Sequence, residues 1–452
     1  MLEPAHHADV VIVGAGAAGL SAAHRLTSAG VKTVVLEAAP CVGGRMATEK
    51  VDGFRLDRIG QLLTTSYPEL RRTPGLDALV LRPFAPGILV HSDGRHHRAA
   101  EPVPGRSARG ALTAARALAS APLVPRAVKP APRPASRPAP LGGPLDQARL
   151  GVALARIGAT PVERLLGRPE LPARKALAAR GLPSRTVDGF LRPLLSALLC
   201  DPGLTTSSRC ADLALHAYAR GRLCLTEGGA EALPELLAAA LPPGTVHTGV
   251  RVTSVSTTSV TTAGHGTVDC RAVLLATDAR AAAELLPGLR VPSFHEVTVF
   301  HHTAPEPPME DAGLLLDADR AGPVAHTAVV SQVDPSRAPA GRVLVSSTVL
   351  GPPPDERAVR THLAALYGAP TDRWELLALH HTREAVPAMP PPHDPRRPVR
   401  LLGGLYVCGD HRDTSTVQGA LHSGRRAAHA ALRDFGITPA DGDAREPLPF
   451  AA

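Results

Sequence analysis

Residues 10–13 form an uninterrupted β-branched run, and residues 17–28 carry apolar side chains at helical spacing up to a stop at Gly30. Residues 32–37 return to a β-branched run that ends in a carboxylate, so the chain is predicted to open as strand, helix, strand. Helical spacing then recurs over 145–157, 161–179 and 187–199, which predicts a mostly helical middle. A helix over 232–241 follows, then strand-like stretches at 245–255, 259–262 and 272–276. Residues 295–303 and 342–350 alternate or run β-branched, as antiparallel strands do. The last unit reads as a strand over 405–408 and a helix from about 417 to 435. From 101 to 144 the sequence becomes an Ala, Pro and Arg mixture that supports neither a regular helix nor a central strand, and is expected to be a flexible insertion.

Composition narrows this picture. A chain of 452 residues exceeds the size at which one core stops growing, so two domains are expected. Aromatic residues make up 3% of the chain, with one Trp, so any pocket is built mainly from aliphatic side chains. The formal charge of +8 comes from Arg dispersed among Asp and Glu, which reads as a solvated basic surface and not as a nucleic-acid interface. The six Cys show no Cys-x-x-Cys spacing, which predicts reduced thiols and a cytoplasmic protein. Adjacent His pairs such as His6-His7 and His96-His97 point opposite ways in extended chain, and no metal is expected. The first apolar run lacks a basic flank and is broken by glycines, so neither a secretory signal nor a membrane span is expected; peripheral contact with a membrane stays open.

The chemistry lies at the two ends of the chain. Gly14-Ala15-Gly16-Ala17-Ala18-Gly19 is a G-x-G-x-x-G run between a predicted strand and a predicted helix, which suits a dinucleotide pyrophosphate at a helix amino terminus. Glu37, about 20 residues on, sits where a carboxylate accepts from an adenosine ribose hydroxyl and disfavours a 2′-phosphate. Glu37-Ala38 leads into Gly43-Gly44-Arg45, a second backbone approach with a fork of donors for phosphate oxygens. A nicotinamide enzyme has no need of this second segment, whereas the longer reach of FAD does. Gly409-Asp410 closes the final strand with a carboxylate suited to ribityl hydroxyls. Ser415-Thr416-Val417-Gln418-Gly419-Ala420 then opens a helix whose free amides and dipole would stabilise charge on a reduced flavin. Cys408 lies inside that strand, so noncovalent FAD is expected.

With these motifs the chain resembles the glutathione reductase-like FAD fold, in the branch that holds flavin amine oxidases, protoporphyrinogen oxidases and phytoene desaturases. The resemblance implies an α/β protein in which a Rossmann-like, three-layer FAD-binding domain with a parallel sheet is interleaved with an α+β substrate domain. FAD-binding segments are expected at 1–85, 201–285 and 396–436. A mostly helical substrate segment is expected at 86–200, a substrate-domain sheet with helices at 286–395, and a flexible tail at 437–452. It further implies that Val252 meets the adenine through its backbone, that Ala276-Thr277 match the branch's strand end, and that Gly60 approaches the flavin. Gln61 and Pro387 resemble pocket positions, and His301 and His302 lie in a strand expected to cross the substrate cavity, where one of them would act as a proton acceptor.

Two departures bear on activity. Lys occurs only at 32, 50, 129 and 175, so the lysine that amine oxidases of this branch carry near the flavin has no counterpart. Val417 and Gln418 stand where an aromatic cage residue is usual. The expected function is therefore a desaturase- or dehydrogenase-like oxidoreductase acting on a C–C or C–N bond of a small apolar substrate. An oxygen-dependent amine oxidase is the alternative, and a flavin-free escort protein on the same fold is a second one.

Overall fold

The computed structural model describes residues 7–99 and 142–438; most of the Ala/Pro/Arg insertion and of the tail lies outside them. An eight-stranded sheet contains five parallel strands in the order Val246–His247, Thr33–Leu36, His7–Val13, Thr267–Leu275 and Leu405–Val407. These come from three separated stretches of chain. Val10, Val11 and Ile12 are fully buried, as strands covered on both faces must be. The first helix, Ala17–Ser28, ends where Gly30 takes φ +77°, a left-handed conformation that glycine adopts without a Cβ penalty.

The last helix, Val417–Asp434, lies on the first at backbone contact distance. Ser21 Oγ donates to the Leu421 carbonyl at 3.0 Å, and a Cβ on Gly424 would stand 2.1 Å from the Ala18 carbonyl oxygen. Thus the two motif-bearing ends of the sequence form one packed layer.

A second sheet of seven strands runs Glu375–Pro387, Phe294–Ala304, Val343–Val349, Val324–Val329, Leu315–Asp317, Ile88–Ser92 and Arg95–Ala99. It is antiparallel except where Leu315–Asp317 meets Ile88–Ser92. The helical block packs against it through Leu154, Leu194, Leu195 and Leu215, which share a core with Val90, Leu316 and Leu344.

Several expectations need correction. The helical stretch 161–179 is two short helices, Val162–Leu166 and Ala173–Ala178, because Pro169 and Pro172 lie in its middle. In the stretch 187–199, Pro193 lacks the N–H that would bond back to residue 189, and the chain widens to a π turn over Val187–Leu191 before Arg192–Leu199. Residues 245–255 hold two strands, Val246–His247 and Val252–Val255, separated at Gly249 with φ +73°. The helix Ser208–Arg220 shares the core of the helical block with Pro144–Ala159, although a division at residue 201 would place it elsewhere. The hairpin Ile88–Ser92 and Arg95–Ala99 likewise belongs to a sheet, in a segment expected to be mostly helical.

Candidate functional site

The three motif glycines act differently. Gly14 has φ +106°, and a Cβ there would lie 2.9 Å from the Ala276 carbonyl oxygen, so both its conformation and its neighbour demand glycine. Gly19 lets the helix close on the turn, since its Cβ would fall 2.1 Å from the Gly14 carbonyl oxygen. Gly16, the helix N-cap, has φ −78° and ψ 178°, which any residue adopts, and a Cβ there would meet no protein atom within 4 Å. The protein's own packing gives Gly16 no reason to be glycine. A ligand lying against its backbone does.

Glu37 ties this turn to the next strand end. Its Oε2 accepts from Ala15 N and its Oε1 from Ala39 N, each at 2.8 Å, while Glu37 N and O bond His247 O and Val250 N. The carboxylate is thereby oriented at the mouth of the glycine turn. Replacing Glu37 with Gln sets an NH2 group against one of those amides, and FAD affinity is expected to fall roughly 10- to 30-fold. Fluorescence titration of the apoprotein with FAD checks this.

Gly43 N donates to Ala15 O at 2.9 Å, which pins the second glycine pair under the first; Gly43 has φ +114° and Gly44 φ +58°. Arg45 follows. Its Nη2 donates to Asp410 Oδ1 at 2.6 Å and its Nη1 to Ala385 O at 2.9 Å, so the second motif is joined directly to the Gly409-Asp410 strand end. Burial opposes the charge on Arg45, but Asp410 outweighs it and holds the guanidinium above its ordinary range.

These groups wall a single cleft of about 670 Å³. Gly14, Gly16, Ala17, Ala18, Glu37, Ala38, Gly44, Arg45, Val252, Ala276, Thr277, Gly409, Asp410, Val417 and Ala420 all line it, and so does Gln61. Ala15, Gly19 and Gly43 support it from behind. Gln418 does not reach it, because its side-chain oxygen accepts from Glu69 N at 2.9 Å. Gly60 does not line the cleft: beyond the strand that ends at Asp57 the chain turns, with Gln61 N donating to Ile59 O at 2.8 Å, so that Ile59 and Gln61 line the cleft while a Cβ on Gly60 would face Thr348 and Val299. Pro387 is outside the lining and accepts from Ser415 Oγ at 2.5 Å, while Ala385, two residues earlier, lines the cleft.

His301 does not line the cleft. Its Nδ1 is 2.8 Å from Ser346 Oγ and its Nε2 3.0 Å from Asp57 O. A carbonyl only accepts, so Nε2 carries the proton. Burial pushes the ring down to about 3, which keeps it neutral at physiological pH. Several lining residues gave no sequence signal, among them Asp57, Leu225 and Thr226; Thr416 could have been found as the Thr before a helix, where it caps Gly419 N at 3.0 Å.

A family model described as flavin containing amine oxidoreductase matches residues 17–432, which takes in the cleft lining from Ala17 to Ala420. The chain belongs to that family. As a flavin amine oxidoreductase it is an FAD-dependent oxidoreductase. Among solved structures, an oxidoreductase from Methanosarcina mazei has a TM-score of 0.67 at 16% identity, over 92% of this chain and 99% of that one. A putrescine oxidase triple mutant with redesigned cofactor binding has a TM-score of 0.66 at 19% identity, over 94% and 99%. At these identities the likeness is one of fold.

Sequence relatives match over shorter stretches. Putrescine oxidase of Kocuria rosea is 48% identical over 68 residues, 15% of this chain and 14% of that protein. A lysine-specific histone demethylase 1 homolog 3 of Oryza sativa subsp. indica is 47% identical over 60 residues, 13% of this chain and 7% of that protein.

The cleft of this flavin amine oxidoreductase fits FAD on its own geometry. Gly16 and Gly44 leave backbone open beside a helix amino terminus, Glu37 is poised for a ribose, and Asp410 lies at the end of a buried strand. Among the described residues no helix is long and apolar enough to cross a membrane.

Proposed function

We propose that the chain oxidises a C–C or C–N bond of a small, apolar organic substrate, passing a hydride equivalent to the flavin N5 of noncovalently held FAD. The cofactor supplies the hydride acceptor; the protein positions the substrate and excludes water. The observation that carries this reading is that the cleft end bounded by Ile59, Gln61, Leu225 and Val417 offers no seat for a cation. No aromatic side chain and no Lys lines the cleft among the described residues.

The acids at that end, Asp57 and Asp410, are each held by an arginine, Arg337 and Arg45. An ammonium group would therefore meet neither a free carboxylate nor a π face. Ile59, Leu63, Leu225, Ala385 and Val417 present aliphatic surface instead, and Gln61 is fixed by its donation to Ser415 O at 3.0 Å. The opening turn of the Val417–Asp434 helix directs its dipole towards this end, where it favours negative charge on whatever is bound.

The test is an absorption spectrum of the purified protein, followed by anaerobic mixing with alicyclic alkene precursors or with primary and secondary amines. Flavin bands between ~350 and ~470 nm, bleached by the apolar compounds and slow to return in air, are expected. Bleaching by simple charged amines with prompt reoxidation and stoichiometric peroxide overturns this reading in favour of an oxygen-dependent amine oxidase. A protein that takes up no FAD points to the escort class.

A further inference from the structure

Away from the cleft, a groove of about 320 Å³ runs between the last helix and the strand Arg400–Leu402, lined by Pro398, Val399, Arg400, Arg426, His429 and Arg433. Residues 426, 429 and 433 are three and four apart on the Val417–Asp434 helix and so share one face. Arg397 and Arg412 stand behind this face. Arg397 Nη1 donates to His411 O at 3.3 Å, and Arg412 Nη2 donates to Pro398 O.

Positive charge is oversupplied here. Arg426 gives Nη2 to the carbonyl oxygens of Arg397 and Arg396, at 2.6 and 3.0 Å, and Nη1 to Asp413 Oδ2 at 3.1 Å. That Asp413 oxygen also takes His422 Nδ1 at 2.8 Å. Arg400 is bonded to Asp434, whose same oxygen accepts from the Tyr406 hydroxyl. Bonds to carbonyl oxygens satisfy donors but neutralise nothing. Of the five arginines at 397, 400, 412, 426 and 433, Arg426 pairs with Asp413 and Arg400 with Asp434, while Arg397 and Arg412 are bonded to carbonyl oxygens.

Arg412 registers the imbalance. Its Nε is buried with no hydrogen-bond partner among the described residues, and burial together with the charges of Arg397 and Arg426 holds it below the ordinary guanidinium range. Solvated surface arginines do not experience this. An anion in the groove would relieve it, and planar guanidinium forks match tetrahedral oxyanions in particular.

We propose that the groove binds a phosphate-type anion, either free or as the headgroup of an anionic lipid, held by Arg400, Arg426 and Arg433. The lipid source has a structural counterpart in Leu402, 60% exposed, two residues along the bordering strand from Arg400. Arg412, behind the groove, lies two residues from the cleft residue Asp410 in one short 3-10 turn.

Calorimetric titration of the FAD-loaded full chain with inorganic phosphate and with pyrophosphate, at low ionic strength and against chloride, tests the site. Saturable binding is expected. Arg433→Glu and Arg400→Gln are each expected to weaken it roughly tenfold or more without changing the flavin spectrum. Because Arg433 is exposed near the helix end, Arg433→Gln provides a gentler variant should the charge reversal fold poorly.

Sedimentation with vesicles of phosphatidic acid in phosphatidylcholine, against phosphatidylcholine alone, separates the sources. Capture that is lost in Arg433→Glu and reduced in Leu402→Ser assigns a headgroup; phosphate binding without capture assigns a free anion. No saturable binding of phosphate, pyrophosphate or anionic vesicles by the wild-type chain, or affinities unchanged in both arginine variants, overturns the proposal.

Discussion

Gly16→Val is expected to give a folded protein that no longer holds its cofactor, whereas Gly424→Ala is expected to disturb the fold itself. At Gly16 the backbone is in an ordinary extended conformation and a Cβ meets nothing within 4 Å, so the apoprotein loses only a helix cap residue, about 1 kcal/mol. The added side chain enters the space a pyrophosphate needs, and FAD affinity should fall roughly 100-fold or more. At Gly424 a single methyl lands 2.1 Å from the Ala18 carbonyl oxygen and forces the two helices apart, costing about 3 kcal/mol or more. Circular dichroism melts of both apoproteins, beside FAD titrations, check the contrast. A Gly16→Val protein that binds FAD normally would remove the ligand-approach explanation for that glycine.

The second large effect is expected at a buried ion pair. Arg337 is 2% exposed; it donates to both Asp57 oxygens, with Nη1 at 3.0 Å from Oδ1, and its Nε lies 3.6 Å from Asp334 Oδ2. Arg337→Met leaves two buried carboxylates without their cation, a loss of about 3–5 kcal/mol measured by urea unfolding near pH 7. Burial raises the Asp57 pKa, but Arg337 outweighs it and holds the carboxyl below its ordinary value of 3.8. A depressed carboxylate contributes stability above its unfolded pKa and loses it as pH falls through the folded one. The wild type should thus weaken below about pH 4. The gap to Arg337→Met should narrow there, because the variant's carboxylates are already easily protonated. A gap that is independent of pH would show that Asp57 charge plays no part.

The cleft was legible where chemistry constrains residue type. Gly14, Gly16, Glu37, Gly44, Arg45 and Asp410 all meet around it, although up to 396 positions separate them in sequence. Backbone that must approach a ligand leaves glycines in the sequence, and a helix terminus leaves a capping Thr. The remaining wall was not legible, since Leu225, Thr226 and Ala385 are apolar or small residues whose place is set by which strands pair. His301 misled for a related reason. A histidine in a strand next to a cavity carries no mark of which face it occupies, and here it faces Asp57 O and Ser346 behind the wall. Gly60 lies one position from the cleft-lining Ile59 and Gln61, in a turn that sequence pattern does not place, and Pro193 widens the expected helix over 187–199 into a π turn at its start.

The pairing of Thr267–Leu275 with Leu405–Val407, and of the first helix with the last, also dictates the order of assembly during synthesis. Strands 7–13 and 33–36 emerge early, yet their helix lacks its close-packed neighbour until residue 434 has left the ribosome. The cofactor cleft is consequently among the last parts of the molecule to be completed. Contacts of such high sequence separation slow folding and lengthen the life of exposed apolar intermediates. Nascent chains released before residue 405 should accumulate as chaperone-bound, colourless species even when FAD is abundant.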